Sequence, residues 1–336
     1  MTSKPITVRK HDSFLVRNRK SGGMLLRQVI RKKSGVLLRT LMLFGLCFLI
    51  LQPILDKISV SFMMEKDLYD TTIIVVPRNL TTENYELAAQ LLNLNTSLLN
   101  TALISLATAL LQIIATTLAG YGFARFDFPF KRFWFACVIL VIIVPPQTIS
   151  SSLYLHFRYF DVLGIFTRLT GGPINIKGSA LPYLMLSATA MGLKNGLYIF
   201  MVRQYFKSIP QSLEEAAYVD GASTLSTFIR VMLPQAVPIL VSCFLFAFVW
   251  QWTDVFYTRL FLPTANTMYL SVRLSGLAES LRTYVSTRLG VSSPSVGYIM
   301  QMISTGVLIM IAPLLVLYLF AQRWFIESIS STGLKD

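Results

Sequence analysis

Residues able to act as bases, nucleophiles or metal ligands are few and scattered in this chain. His11 lies in a basic tail, and His156 sits in "LYLHFRYF" with no nucleophile or second ligand beside it. Cys47, Cys137 and Cys243 fall inside apolar runs without CxxC spacing, the pattern of small buried hydrophobes. No GxxxxGK[ST] run occurs, so the chain carries no phosphate loop of its own. This inventory speaks against an enzyme and calls for neither a metal nor a cofactor.

Chemistry of another kind gathers in "FVWQWTDVFY", Phe248 to Tyr257, where Trp250 and Trp252 flank Gln251 and Asp254 follows. Aromatic faces suit the C–H groups of sugars, and polar side chains suit their hydroxyls. The same residues would equally form an interfacial aromatic belt. Lys194 and Asn195, in "MGLKNGLYIF", place a cation and an amide within an apolar run. A cation at membrane depth is costly and normally faces a bundle interior or water. Snorkelling, or a helix break at Gly192 and Gly196, is the alternative. Gln301, Ser304 and Thr305 share one helical face by spacing, fit for a polar path or for interhelical hydrogen bonds.

The elements that would position these residues follow from composition. Of 336 residues, 54% are hydrophobic and 14% charged, against about 25% charged in a soluble domain. Six apolar segments are long enough to cross a bilayer: near Val36–Asp56, Ser97–Gly120, Arg132–Ser152, Ala180–Met201, Ala236–Trp252 and Gly297–Gln322. The expected fold is all-α and polytopic, with six transmembrane helices. Pro145 and Pro146 interrupt segment three, as a packing kink or as a bend that widens a central path.

The formal net charge of +14 is concentrated in the N-terminal tail. Met1 to Arg39 holds eleven Lys/Arg and one acid, Asp12. A basic tail before an apolar run reads as cytoplasmic under the positive-inside rule, not as a nucleic-acid site. Both termini are then expected inside, with nineteen Lys/Arg on inner pieces and ten on outer ones, an excess the tail supplies. The domain organisation expected is a basic tail (1–35), a first helix with an outer loop (36–96), a transmembrane domain (97–322) and a short inner tail (323–336). Within the outer loop, Ile73–Val76 could pair as a short strand.

One inner loop, 208–234, is "SIPQSLEEAAYVDGASTLSTFIRVMLP". Pro210 suits the first turn of a helix, and Glu214 and Glu215 suit its N-terminal dipole. Leu213, Ala216 and Ala217 give one small apolar face. Gly221 is placed to end the helix in a left-handed cap. Ser223 can N-cap a second helix with Leu225, Phe228, Ile229 and Met232 on one face, stopped by Pro234. Small residues and acids together suggest a docking element for a cytoplasmic partner; an interfacial loop resting on lipid is the alternative.

Glu215-Ala216-Ala217, Asp220-Gly221-Ala222, Phe228 and Leu233-Pro234 resemble the EAA loop of binding-protein-dependent ABC importer permeases. "PRNLTTENYELA", "GYGFARFDFP", "RQYFKSIP", "FVWQWTD" and "QRWFIESIS" extend the resemblance over nearly the whole chain from segment one. It is closest to the carbohydrate (MalG-like) subfamily, of MetI-like architecture. The resemblance implies a bacterial plasma-membrane subunit that, with a second permease subunit, a cytoplasmic ABC ATPase dimer and an extracellular solute-binding protein, imports a sugar or oligosaccharide. It places Glu214, Glu215, Ala216, Ala217, Asp220, Gly221 and Ala222 at the ATPase contact. Lys194, Asn195, Trp250, Trp252, Asp254 and Gln301 are the candidates for the substrate path. A non-sugar importer permease, or an ion-coupled carrier, stays as the alternative. A carrier would normally show acids within spans or inverted repeats, and most acids here lie in loops.

Overall fold

A computed structural model describes residues 22, 24–70, 72, 76–262, 269–288, 290 and 293–333. Most of the basic tail, residues 73–75 of the expected strand, part of the loop after segment five and the last three residues lie outside them. The described residues form helices, with two isolated antiparallel bridges, Met63 to Leu80 and Phe160 to Ile174. The chain divides into two compact units, 1–59 and 60–336.

Helix α1, Met24–Phe62, holds a candidate membrane span over Ile30–Phe62. Its start precedes the expected segment one by twelve residues, because Arg27, Arg31, Lys32 and Lys33 continue the same helix. Leu41, Phe44 and Leu49 are all exposed, as a lipid-facing helix requires.

Beyond Phe62 come a 3-10 turn, Glu65–Tyr69, then α2, Glu83–Leu92, and α3, Leu94–Arg125. The 32 residues of α3 reach about 48 Å at 1.5 Å per residue. Its burial pattern is the reverse of a soluble helix. Ser97, Thr101, Ser105, Thr108, Gln112, Thr116 and Gly120 are buried, while Leu99, Leu103, Leu106, Leu110, Ile114 and Leu118 are exposed. Small and polar residues face inward where helices meet, and leucines face outward where lipid lies. At Gly120 a Cβ would come within 2.7 Å of Val202 Cγ1, so only glycine allows this approach.

Segment three is broken. Helix α4, Lys131–Ile143, ends at Val144; a 3-10 turn, Pro146–Ile149, leads into α5, Ser150–Arg158, at a bend of 101°. Two adjacent prolines remove two donors and force Val144 and Pro145 to extended backbone. A short α6, Ile165–Thr170, follows. Segment four is also discontinuous: α7, Leu181–Ala188, and α8, Asn195–Ser208, are separated by residues 189–194. Ala190 and Lys194 take left-handed conformations there (φ 56° and 60°), which no continuous helix contains.

The inner loop holds α9, Ser212–Val219, and α10, Thr224–Thr227, then a π-helical turn, Phe228–Met232, and α11, Leu233–Gln235. Segment five is α12, Val237–Trp252, bent by 74° from the run before it. Pro234 therefore does not stop the second helix. The wider π turn, in which Leu233 N–H bonds Phe228 O, carries the chain past it, and the break falls at Ala236. Short helices α13, Phe256–Phe261, α14, Leu270–Ser275, and α15, Leu277–Arg288, lead to α16, Val296–Gly333, which contains segment six.

Helix α3 is the axis of the second unit and packs against α7, α8 and α12; α12 packs in turn on α16. Among the described residues, three helices (α1, α3 and α16) are long and apolar enough to cross a membrane unbroken, and five crossings result if each bent pair counts as one.

At the Leu94 end of α3 the chain folds around Asp67, which accepts the backbone N–H of Asn79 (2.7 Å) and Arg78 (3.0 Å) and the Asn79 Nδ2 (2.7 Å). The Asn79 backbone bond holds the Asp67 carboxyl below the usual carboxylate range, against the opposing effect of burial; the Asn79 amide, the Arg78 N–H and the Lys66 charge assist. A lowered folded-state pKa stabilises fully above the unfolded value of about 3.9 and is lost as pH falls through the folded value. Protection of the Arg78 and Asn79 amides from hydrogen exchange is therefore expected to fall about tenfold or more in Asp67→Ala. In the unaltered protein, protection relative to intrinsic rates should persist at neutral pH and fade only below about pH 4.

Candidate functional site

Two sites emerge, one at the Arg125 end of α3 and one where breaks in the chain meet. The first is the loop at that helix end. Helix α9 closes with Asp220 as C-cap and Gly221 at φ +81°. Ala222 N–H bonds Ala217 O (2.9 Å) and Gly221 N–H bonds Tyr218 O (3.0 Å), the paired bonds of a Schellman cap. Ser223 then caps α10, its Oγ accepting Ser226 N–H at 3.3 Å. Glycine and serine stand where their chemistry required. Pro210 falls one position before the Gln211 N-cap rather than inside the first turn.

The faces of this loop differ from the expected ones. Leu213 and Ala216 are exposed, Ala217 is half-buried, and Glu214 is buried. Glu215, Asp220 and Gly221 are exposed, and Ala222 is half-buried. Leu225 and Ile229 are also exposed, whereas Phe228 and Met232 turn inward. The loop thus leaves Leu213, Tyr218, Val219, Leu225 and Ile229 exposed together with Glu215 and Asp220, side chains of the kind a partner covers. Glu214 instead reaches back to α3. Its Oε1 accepts Tyr121 Oη–H at 3.0 Å, and its Oε2 lies 3.0 Å from Arg125 Nε. The latter is an ion pair by distance, with the N–H angled off the oxygen.

The second site is a cavity of about 470 Å³ where three chain breaks meet. Pro145, Pro146 and Gln147 line it from the α4–α5 break, Lys194 from the start of α8, and Trp250 and Asp254 from the end of α12. Lys194 Nζ stands 4.9 Å from the Trp250 ring centroid, a cation–π contact.

Of six residues read from sequence as substrate-path candidates, the structure brings Lys194, Trp250 and Asp254 together here. It separates the other three. Trp252 is buried, gives its Nε1–H to Met310 O (3.2 Å) and stacks on Phe248, so it joins α12 to α16. Gln301 Nε2 donates to Val60 O (2.9 Å) and Met63 O (2.6 Å). Asn195 is fully buried, and neither side-chain polar atom has a partner among the described residues. Gln147 was not foreseen; its signal was the proline pair before it. Trp250 and Trp252, both read from sequence as candidates, are two apart on α12 and so point to nearly opposite sides, which leaves only one of them at the cavity.

A helical membrane protein with discontinuous spans around a cavity and a capped loop at one end is a transport subunit in layout. The chain belongs to the family of binding-protein-dependent transport system inner membrane components, whose model matches residues 112–331. It is 28% identical over 253 residues to a probable ABC transporter permease of Pyrococcus horikoshii, covering 75% of this chain and 80% of that one. It is 30% identical over 240 residues to the osmoprotective compounds uptake permease GgtD of Synechocystis, covering 71% and 70%. It is 25% identical over 325 residues to the maltose/maltodextrin transport system permease MalG of Photorhabdus laumondii, covering 93% and 100%. Its fold matches a chain in a crystal structure of a bacterial ABC transporter involved in the import of alginate, at TM-score 0.68 and 19% identity over 88% of this chain and 98% of that one.

Proposed function

We propose that this permease passes a sugar or oligosaccharide, delivered by an extracellular binding protein, through a pore it forms with a second permease subunit above a cytoplasmic ATPase pair. The observation that carries the coupling part is the Schellman-capped helix α9, which presents Glu215, Asp220 and Gly221 outward together with exposed apolar side chains such as Val219. Such a surface suits a cleft in a partner that moves when ATP binds. The names of several relatives, MalG among them, support the sugar. The Synechocystis relative, an osmoprotective compounds uptake permease, keeps a small osmoprotectant as the second reading.

In this reading the broken pair α7–α8 completes a sixth crossing, and both termini lie on the ATPase side, with the tail 1–35 and the residues from 323 inside. The cavity at Lys194, Trp250 and Asp254 is the path. The test is uptake in proteoliposomes holding this chain with its permease, ATPase and binding-protein partners, using labelled maltodextrin and an osmoprotectant in parallel. ATP-dependent uptake of the sugar supports the reading. Uptake of the osmoprotectant alone replaces its substrate, and uptake without any ATPase removes it.

Lys194 offers a clean probe of the path. Its φ of 60° suits glycine better than lysine, so Lys194→Gly deletes the cation without backbone cost. Thermal stability should hold or rise slightly, while the apparent KM for uptake shifts by about fivefold or more.

A further inference from the structure

Two adjacent acids in the loop do different things. Glu215 is exposed, whereas Glu214 is 5% exposed and spends both oxygens on the last turn of α3. Arg125 also donates from its other end to Ile209 O at 2.7 Å, gripping the chain just before α9. Tyr121 wedges its ring against Phe206 at the end of α8 (5.2 Å) and Phe228 after α10 (4.6 Å). The segments entering and leaving α9, and α9 itself, are therefore all fastened to one turn of the central helix. Among the described residues of α9, no side chain other than Glu214 is buried.

We propose that Glu214 is a positioning residue that locks α9 to α3 through Arg125 and Tyr121, so that a push on the loop moves the central span with it. Glu215 is left free to face the partner. The inference rests on the coupling reading above and goes beyond it, because it names the joint through which the motion passes. A hinge at this point would let α9 follow the ATPase while α3 stayed still. A buried ion pair with a hydroxyl bridge resists that, since pulling it apart would strand a charge in an apolar setting.

The test uses the full assembly in proteoliposomes and reads three things: ATPase retained on purification, ATP hydrolysed, and solute moved per ATP. Glu214→Gln is expected to retain the ATPase and hydrolyse ATP, while solute moved per ATP falls about tenfold or more. Tyr121→Phe, which keeps the ring and removes one hydrogen bond, should lower the same ratio by about threefold. The exchange Glu214→Arg with Arg125→Glu should recover part of what either single change loses, and this guards against a variant that merely misfolds. An unchanged ratio in Glu214→Gln, loss of the ATPase on purification, or an exchange no better than its single variants would each overturn the inference. If the unaltered assembly takes up solute without an ATPase, the coupling reading fails and this one falls with it. ATP-driven uptake indifferent to Glu214 removes this one alone.

Discussion

ATP-driven uptake is expected to fall about tenfold or more in Gly221→Asp and to stay within about twofold of the unaltered protein in Gly221→Asn. The two substitutions are nearly isosteric, and both residues tolerate the left-handed region better than other side chains. At φ +81° each carries a similar backbone cost, roughly 1 kcal/mol, too little to unfold the chain. A Cβ at this position meets nothing within 4 Å, so neither variant clashes within the subunit. Only the aspartate adds a charge. It lies beside Asp220 at the carboxyl end of α9, where the helix dipole already disfavours an anion by about 0.3–1 kcal/mol. A further acid on a docking face, aimed at a partner fitted to two, can cost several kcal/mol by like-charge repulsion. Uptake and retention of the ATPase should fall together in Gly221→Asp. Equal loss in both variants would put the effect in the turn rather than the charge. No loss in either would take the loop out of coupling.

The loop illustrates what sequence carries and what it does not. Gly221 and Ser223 were legible because caps are local: a left-handed position and an N-cap are settled by the residue and its next few neighbours. The inward turn of Glu214 was not, because Glu214 and Glu215 have the same local chemistry and differ only in what stands opposite. That partner is Tyr121, 93 positions away in sequence. The proline pair in segment three announced a break, but its 101° depends on what packs around it. Segment four read as one span by its length, with a break at Gly192 and Gly196 as the alternative reading of Lys194 and Asn195. The turn there is made by Ala190 and Lys194, residue types that seldom take positive φ, and no local rule marks them. The reversed face of α3, by contrast, could have been read directly from the three- and four-residue recurrence of Ser97, Thr101, Ser105, Thr108, Gln112 and Thr116. In the cavity, the residues found together come from three chain breaks, and a break brings distant positions close without leaving a pattern in either.

Asp254 is where the path and the scaffold come apart, and its removal is expected to damage the fold first. It borders the cavity, yet its side chain is committed elsewhere. Oδ2 accepts Thr258 N–H (2.8 Å) and Thr258 Oγ1–H (2.9 Å), Oδ1 accepts Tyr257 N–H (3.2 Å), and Tyr183 Oη stands 3.5 Å away. Its carbonyl also accepts Ser271 Oγ–H at 2.6 Å, which ties α14 to the same corner. The carboxylate, one position before the Val255 N-cap, thus satisfies two free N–H groups in the first turn of α13. Asp254→Ala strands several buried donors, at a cost of about 2–4 kcal/mol. The expected result is a lower unfolding temperature and poor recovery of folded chain, with the surviving fraction keeping a near-normal KM for uptake. Asp254→Asn keeps one acceptor oxygen and should lose about half as much stability. A solute ligand would behave in the opposite way: Asp254→Asn would leave the unfolding temperature alone and raise KM about tenfold or more. Measuring both quantities on the same preparations decides between a carboxylate that holds the wall of the path and one that touches what moves along it.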